Sequence, residues 1–376
     1  MTLHIFNPEH DIALASGLAN FTAPHAGRQL RHDLGWLPVL WASEDDAVLV
    51  EDVAVARRAI ARRTAGTRLL VDGRVLSSLT VSHIEPWGWN AALCAQLRRH
   101  GLKATDGRGG ALPSAEQLQG IRELSHRRTA ASILPLLQTD GTIGEAIVCH
   151  SMEEVAEQVG RFGRAVVKAP WSSSGRGVRF INDGCSGGKT AGHSEGDEGK
   201  NAGHSEDGNI AGWLRNTLQR QGAVMAEPYY NKVKDFGMEF YSDDEGHISY
   251  QGLSLFHTSN GAYTGNIIAT EQAKRKVLSR YLPTLLLDET QERICRVLGP
   301  VFKGRYRGPF GVDMMVVRKL DANYLHPCVE INLRRTMGHV ALALNNVYNP
   351  TEDDEIKHVM RINYIKNNYK LQIKRQ

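Results

Sequence analysis

The densest chemistry in this sequence lies in two short runs toward its end. In Gly311-Val312-Asp313-Met314-Met315 an aspartate interrupts an apolar strand, and in Cys328-Val329-Glu330-Ile331-Asn332 strand alternation puts Glu330 and Asn332 on one face. Two such strands side by side bring three hard oxygen-bearing side chains together. Carboxylates buried in pairs repel each other and lose their hydration, whereas a divalent cation held by one or two of them and by substrate phosphates settles both charges. Asp313, Glu330 and Asn332 are therefore the candidate ligands for Mg2+, with Mn2+ as the substitute. For an isolated Glu-x-Asn the plain alternative is an ordinary strand.

A second set has the chemistry of phosphate and nucleoside binding. Lys168 ends the apolar run Ala165-Val166-Val167, and the chain passes through Trp171-Ser172-Ser173-Ser174-Gly175-Arg176-Gly177 before a new strand at Val178. Serine and glycine at a hairpin tip turn hydroxyls and backbone N–H groups toward phosphate oxygens, and the strand lysine adds a compact positive charge. The spacing is neither that of a Walker A loop nor that of a dinucleotide fingerprint, so the loop is a strand-loop-strand cover. A plain surface hairpin is the alternative. Ser172, Ser173, Ser174, Gly175 and Gly177 are the phosphate candidates; Ser174 has no evident histidine partner that would make it a hydrolase nucleophile. Further on, Glu227 closes the run Ala223-Val224-Met225-Ala226 and precedes Pro228-Tyr229-Tyr230, with Asp235 eight residues later. A carboxylate at a strand end and a later acid suit a base edge and ribose hydroxyls in an apolar slot, against the bland reading of a capped strand and a solvated turn.

These groups need rigid elements behind them. Strand and helix alternate over residues 1–115: a strand at residues 3–6, a helix after it, a short proline-containing strand over Trp36–Trp41, helices at 51–64 and Ala91–His100. A helix from Ser114 to about Leu137 leads to a helix capped by Ser151, and then to strands at 164–169, 178–181, 222–227, 236–242 and 247–256. Two long helices follow, the better one over Thr290–Phe302 with Ile294, Val297, Leu298 and Val301 in a stripe. Strands at Pro309–Val317 and Leu325–Asn332 and a helix over Met337–Asn346 complete the order. Residues 183–209, in which Ala-Gly-His-Ser-Glu occurs twice, contain almost no large apolar side chain and read as a flexible, disordered Gly-rich insertion. The expected class is α/β and α+β multidomain, divided at 1–115, 116–226 with the insertion, and 227–376.

Composition sets the outer limits. The chain has 376 residues, 41% hydrophobic and 23% charged, which is enough apolar material for two or three cores. Apolar runs are far shorter than a bilayer span and the first residues lack a secretory pattern, so a cytoplasmic protein with no membrane partner is expected. Five scattered cysteines without a CxxC fit a reducing compartment. A net charge of +4, with arginine pairs on helical segments and no interleaved aromatics, argues against nucleic acid as a partner. A homodimer is the default among soluble oligomers.

The ordered set Lys168, Ser172 to Gly177, Glu227, Asp235, Asp313, Glu330 and Asn332 resembles the ATP-grasp superfamily, and within it the carboxylate–amine (amino-acid) ligases, over about residues 120–345. The resemblance implies an ATP-grasp fold preceded by a small α/β domain. It assigns Lys168 to the phosphates, Glu227 and Tyr229 to the adenine, Asp235 to the ribose and the late acids to magnesium. It also implies a basic residue on the helix before the grasp, here Arg127 or Arg128, with Arg128 preferred. The implied reaction is ATP-dependent: a small carboxylic acid or amino acid is phosphorylated, and an amine acceptor displaces phosphate to give an amide. A kinase, or a protein using ATP only as a regulatory ligand, is the alternative. Arg334 and Arg335, directly after the Glu-x-Asn strand, resemble the clamp by which such ligases hold a substrate carboxylate, and with Lys168 they are the expected catalytic residues. Two loops of the first domain, Asn7-Pro8-Glu9-His10-Asp11 and Glu85-Pro86-Trp87-Gly88-Trp89, are candidates for the far side of the cleft, against a role in helix capping and interdomain packing.

Overall fold

A computed structural model describes residues 1–61, 69–102, 112–172, 177–182, 206–259, 262–348 and 358–375. The first sheet comes from short apolar strands with helices between them: β1 (Thr2–Ile5), α1 (His10–Ser16), α2 (His25–Leu34), β2 (Ala47–Leu49), α3 (Val53–Ile60), β3 (Leu69–Val71), β4 (His83–Pro86) and α4 (Ala91–Arg99). Its order is β3-β2-β1-β4 and every pairing is parallel. Leu3 and Ile5 pack toward α4, while Phe6 and Val48 pack with Leu34, Ala56 and Ile60 of the helices on the other side. The strand expected over Trp36–Trp41 is instead a 3-10 turn, Leu37–Leu40. Pro38 has no N–H to give a ladder, and its fixed φ suits the first turn of a helix.

The helix expected from Ser114 to Leu137 is two: α5 (Ala115–Leu124), opened by a capping box between Ser114 and Gln117, and α6 (Arg128–Leu137). The break falls at Ser125–Arg127, where the His126 ring nitrogen Nδ1 accepts the Arg128 N–H at 2.9 Å and the Arg127 N–H donates to the carbonyl of Pro170. Next come β5 (Ile147–Cys149), α7 (Met152–Phe162), β6 (Arg164–Lys168), β7 (Val178–Asn182), α8 (Glu206–Gln221) and β8 (Val224–Pro228). They form an antiparallel sheet in the order β5-β8-β6-β7. Ala165, Val167, Val224 and Ala226 pack one face on α7 and α8, which leaves the other face for Lys168 and Glu227. Residues 183–205 of the expected insertion lie outside the described residues, and 206–209 belong to α8.

The largest sheet follows, from β9 (Lys232–Ser242), β10 (Ile248–Ser259), β11 (Ala262–Ile268), α9 (Glu271–Leu278), α10 (Thr284–Phe302), β12 (Gly308–Lys319), β13 (Ala322–Asn332), α11 (Met337–Tyr348), β14 (His358–Ile365) and β15 (Asn368–Arg375). Seven antiparallel strands run in the order β13-β12-β9-β10-β11-β14-β15. Phe236, Met238, Phe240, Val312, Met314 and Val316 turn one face into a core with Ile133 and Leu134 of α6 and Ile294 and Leu298 of α10. The hairpin β14–β15 has no counterpart among the elements expected from the sequence. Lys366 and Asn367 join it with φ of 50° and 63°, the left-handed pair a two-residue turn requires. Among the described residues, no helix is long and apolar enough to cross a membrane.

Candidate active site

Register brings the late acids together. β12 and β13 pair Asp313 with Glu330 and Gly311 with Asn332, so the three expected ligands share one face of the large sheet. Asn332 Nδ2 donates to Asp313 Oδ2 at 3.1 Å. Burial, together with the charges of Glu330 and Glu239, pushes the Asp313 carboxyl up to about 7. Glu239 stands across from Gly311 on β9, and its Oε2 lies 3.0 Å from His339 Nδ1. That nitrogen accepts the Thr336 N–H at 3.1 Å and so has no proton to give, which leaves Glu239 Oε2 buried without a hydrogen bond. Excess negative charge in a dry place is the electrostatic signature of a cation site. Among the described residues no ready-made cage of three His, Cys, Asp or Glu side chains exists. Two carboxylates and one amide, with room for phosphate oxygens, fit magnesium better than a full protein cage does.

The small sheet faces these acids with Lys168. β6 and β8 place Lys168 diagonally from Glu227, and Lys168 Nζ donates to Glu227 Oε2 at 2.6 Å with both side chains buried. Arg127 spans the two sheets. Its Nη2 donates to Glu330 Oε1 at 2.7 Å, and its Nη1 donates to Ser172 Oγ at 2.7 Å and to the Ala169 carbonyl. Gly177 returns against Ser172 so closely that a Cβ there would lie 2.3 Å from the serine Cβ. Ser173, Ser174 and Gly175 lie outside the described residues. Tyr229 is half exposed on the same face as Glu227, with the Arg164 guanidinium 4.0 Å over its ring. Asp235 accepts from Thr258 Oγ1 at 2.7 Å and from Lys232 Nζ at 2.5 Å, on the face of β9 that also holds Glu239.

No protein-family model matches the sequence, and no curated protein matches it. Solved structures do. N5-carboxyaminoimidazole synthetase from Staphylococcus aureus, complexed with ADP, aligns with a TM-score of 0.52 at 14% identity over 97% of this chain and 83% of that one. Phosphoribosylamine–glycine ligase from Thermotoga maritima aligns at 0.51 and 13% identity over 96% and 80% of the two chains. The biotin carboxylase domain of 2-oxoglutarate carboxylase from Hydrogenobacter thermophilus, with MgADP, aligns at 0.51 and 11% over 96% and 74%. This chain has the ATP-grasp fold. Its grasp consists of the small sheet bearing Lys168 and Glu227 and the large sheet bearing Asp313, Glu330 and Asn332, with Arg127 between them.

Within the ATP-grasp framework two expectations need revision. Arg128, the preferred basic residue, is exposed on the first turn of α6, while the buried Arg127 reaches the site, because the helix break turns residue 127 inward. Arg334 and Arg335 do not stand free as a carboxylate clamp. Arg334 gives Nε and Nη2 to the two oxygens of Asp11 at 2.7 and 2.8 Å, and it also donates to Asn332 Oδ1 and the Arg335 carbonyl. Of its five N–H bonds one is left. Arg335 donates to Glu85 Oε2 at 3.0 Å and lies over Trp41. Burial opposes the charge of Asp11, yet the Arg334 guanidinium holds its carboxyl below the usual range.

Both first-domain loops do reach this region, since β1 and β4 are neighbours and the loops leave their carboxyl ends together; Asn7 Nδ2 donates to the Gly88 carbonyl at 2.9 Å. Glu9 is turned away to Arg31, and Trp87 packs edge-on against Phe6 in the core. Asp11 instead lines a narrow cleft with Ser125, Trp171, Ser172, Glu330 and Asn332. Glu239 was missed by sequence reasoning, although an acid between Met238 and Phe240 on an alternating strand is a readable signal.

Proposed function

We propose that this protein is an ATP-dependent ligase that phosphorylates a small carboxylic acid or amino acid and passes the acyl group to an amine, releasing ADP and phosphate. The observation that carries the reading is the opposition of Lys168 on one sheet to Asp313, Glu330 and Asn332 on the other, bridged by Arg127. Two structural neighbours are ADP complexes, and another is named for joining phosphoribosylamine to glycine.

Asp313, Glu330 and Asn332 would hold Mg2+ or Mn2+, whose chemistry there would be to neutralise phosphate charge and so favour attack at the transferred phosphorus. Lys168 and Arg127 supply positive charge from the opposite side, and Ser172 with the hairpin closing at Gly177 donates to phosphate oxygens. Glu227, Tyr229 and Asp235 orient the nucleoside. A carboxylate oxygen attacks the γ-phosphorus as ADP leaves; the amine nitrogen then attacks the acyl carbon, loses its proton, and phosphate leaves. Arg334 keeps one N–H for an anion while bound to Asp11, so it offers a single hydrogen bond in place of a fork. Arg335 acts by holding Glu85 and the first domain in place.

Calorimetric titration with ATP and ADP in the presence of Mg2+, followed by a screen of acid and amine pairs for ATP-dependent phosphate release, tests the reading. Saturable nucleotide binding and phosphate release that requires both an acid and an amine are expected. Phosphate retained on the product marks a kinase, and absence of any nucleotide binding removes the proposal.

A further inference from the structure

The first domain reaches the candidate cation site through a line of hydrogen bonds that begins at Asp11. Asp11, in the first turn of α1, accepts Nε and Nη2 of Arg334 at 2.7 and 2.8 Å; Arg334 Nη2 donates to Asn332 Oδ1 at 3.0 Å; Asn332 Nδ2 donates to Asp313 Oδ2 at 3.1 Å. Each link has one allowed direction. A guanidinium only donates and a carboxylate only accepts, so the amide between them is turned with its oxygen to Arg334 and its nitrogen to Asp313.

Asp11 also decides where the charge of Arg334 rests. The guanidinium is within electrostatic reach of both Asp313 and Glu330. Held in a bidentate pair by Asp11, it stays at the end of β13 and its charge is largely balanced. With Asp11 neutralised, the part-buried Arg334 loses its counter-ion and turns to the nearest carboxylates, Asp313 and the Glu330 that Arg127 already holds, which are the ones a metal needs. We propose that Asp11 is a positioning residue for the cation site: by holding Arg334 in a bidentate pair it keeps that guanidinium off Asp313 and Glu330, so that the first domain must be docked for the site to bind its ion. This rests on the assignment of Asp313, Glu330 and Asn332 as cation ligands. Asp11 lies more than 300 residues from them in sequence, outside the span that carries the ligands themselves.

The test uses the full chain, ADP at fixed concentration and Mn2+ as the probe, the free ion being counted by its electron paramagnetic resonance signal. Parent, Asp313→Asn, Asp11→Asn, Arg334→Gln and the double variant Asp11→Asn/Arg334→Gln are titrated, with thermal melts run alongside. Outer-shell partners of a metal site typically change its affinity by about 10–100-fold when substituted. Asp11→Asn should therefore weaken Mn2+ binding about tenfold or more, and should do much less in the Arg334→Gln background, where no guanidinium is left to be released. Parent-like affinity in Asp11→Asn, or effects of the two substitutions that simply add, overturns the inference while leaving the cation site in place. If the parent binds no Mn2+, or Asp313→Asn binds it as well as the parent does, the ligand assignment itself falls and the role of Asp11 with it. Should Asp11→Asn not fold, Asp11→Glu, which keeps the charge but displaces the fork, must show the same weakening for the proposal to stand.

Discussion

Lys168 and Glu227 show how a binding group can also be structural. Their side chains are 10% and 7% exposed and meet at 2.6 Å, so truncating the lysine strands a carboxylate in a dry site. Removing one partner of a buried pair typically costs about 3–5 kcal/mol, whereas neutralising both costs far less. Lys168→Ala is thus expected to lower stability as well as ATP affinity, and Lys168→Met/Glu227→Gln to regain most of the stability without the affinity. Urea midpoints and ATP titrations on the two variants check this; equal stability of Lys168→Ala and parent would show that water reaches the pair. Where the lysine, Asp313, Glu330 and Asn332 face was legible because a polar side chain in an apolar strand is conspicuous and strand alternation fixes its face. Arg127 was not, because either of two adjacent arginines satisfies the sequence. The choice is made by the Pro170 carbonyl, to which the Arg127 N–H donates across the break between helices. The pairing of Arg334 with Asp11 and of Arg335 with Glu85 was equally hidden, since no local pattern announces a partner in another domain.

Among the elements, the turn after β1 and the start of α4 are joined by His10. Its ring lies against Gly88, where a Cβ would come within 2.7 Å, and its Nδ1 faces Asn90 Nδ2 at 3.2 Å. Asn90 caps α4 by accepting the Leu93 N–H, so its amide nitrogen is the group turned to the imidazole. A neutral ring accepts that N–H; a protonated one sets two donors against each other. Burial lowers the His10 pKa from 6.5 to about 4. For a histidine depressed in the fold, the unfolded chain takes up the proton first, so stability is full above 6.5 and is lost as pH falls toward 4. The displacement corresponds to roughly 3 kcal/mol at full expression. Denaturant midpoints should fall between pH 6.5 and 4, and His10→Gln should flatten that part of the profile; an unchanged slope in the variant would assign the acid sensitivity elsewhere. Element types were readable wherever periodicity was long, as in α10 and β12, and failed where one proline decided the geometry. Trp36–Trp41 has strand-like composition, but Pro38 makes it a 3-10 turn.

At the scale of the molecule, the first domain shares a core with the last hairpin. Met360 and Leu371 of β14 and β15 are buried with Leu34, Trp36 and Leu37 and with Val340, Ala341 and Leu344 of α11, and the Tyr369 N–H donates to Asp33 Oδ2 of α2 at 2.7 Å. A chain ending at Tyr348 should keep the core built on β9, β12 and α10 but release the first domain. Hydrogen exchange is the direct check: faster exchange across α2 and β2 with protection retained in β9 and β12 is expected, and unchanged protection in α2 would mean that α11 alone suffices for docking. The seven-stranded order was not legible in the sequence because β14 pairs with β11, from which it is separated by α9, α10, β12, β13 and α11, and no local pattern announces such a partner. This shared core also sets a timetable for synthesis. The hairpin is translated about 260 residues after α4, and elongation at roughly 5–20 residues per second makes that a delay on the order of 10–50 s. Throughout it the nascent first domain has an apolar face waiting for a partner not yet made, which makes this stretch of translation the period in which the protein most needs a chaperone.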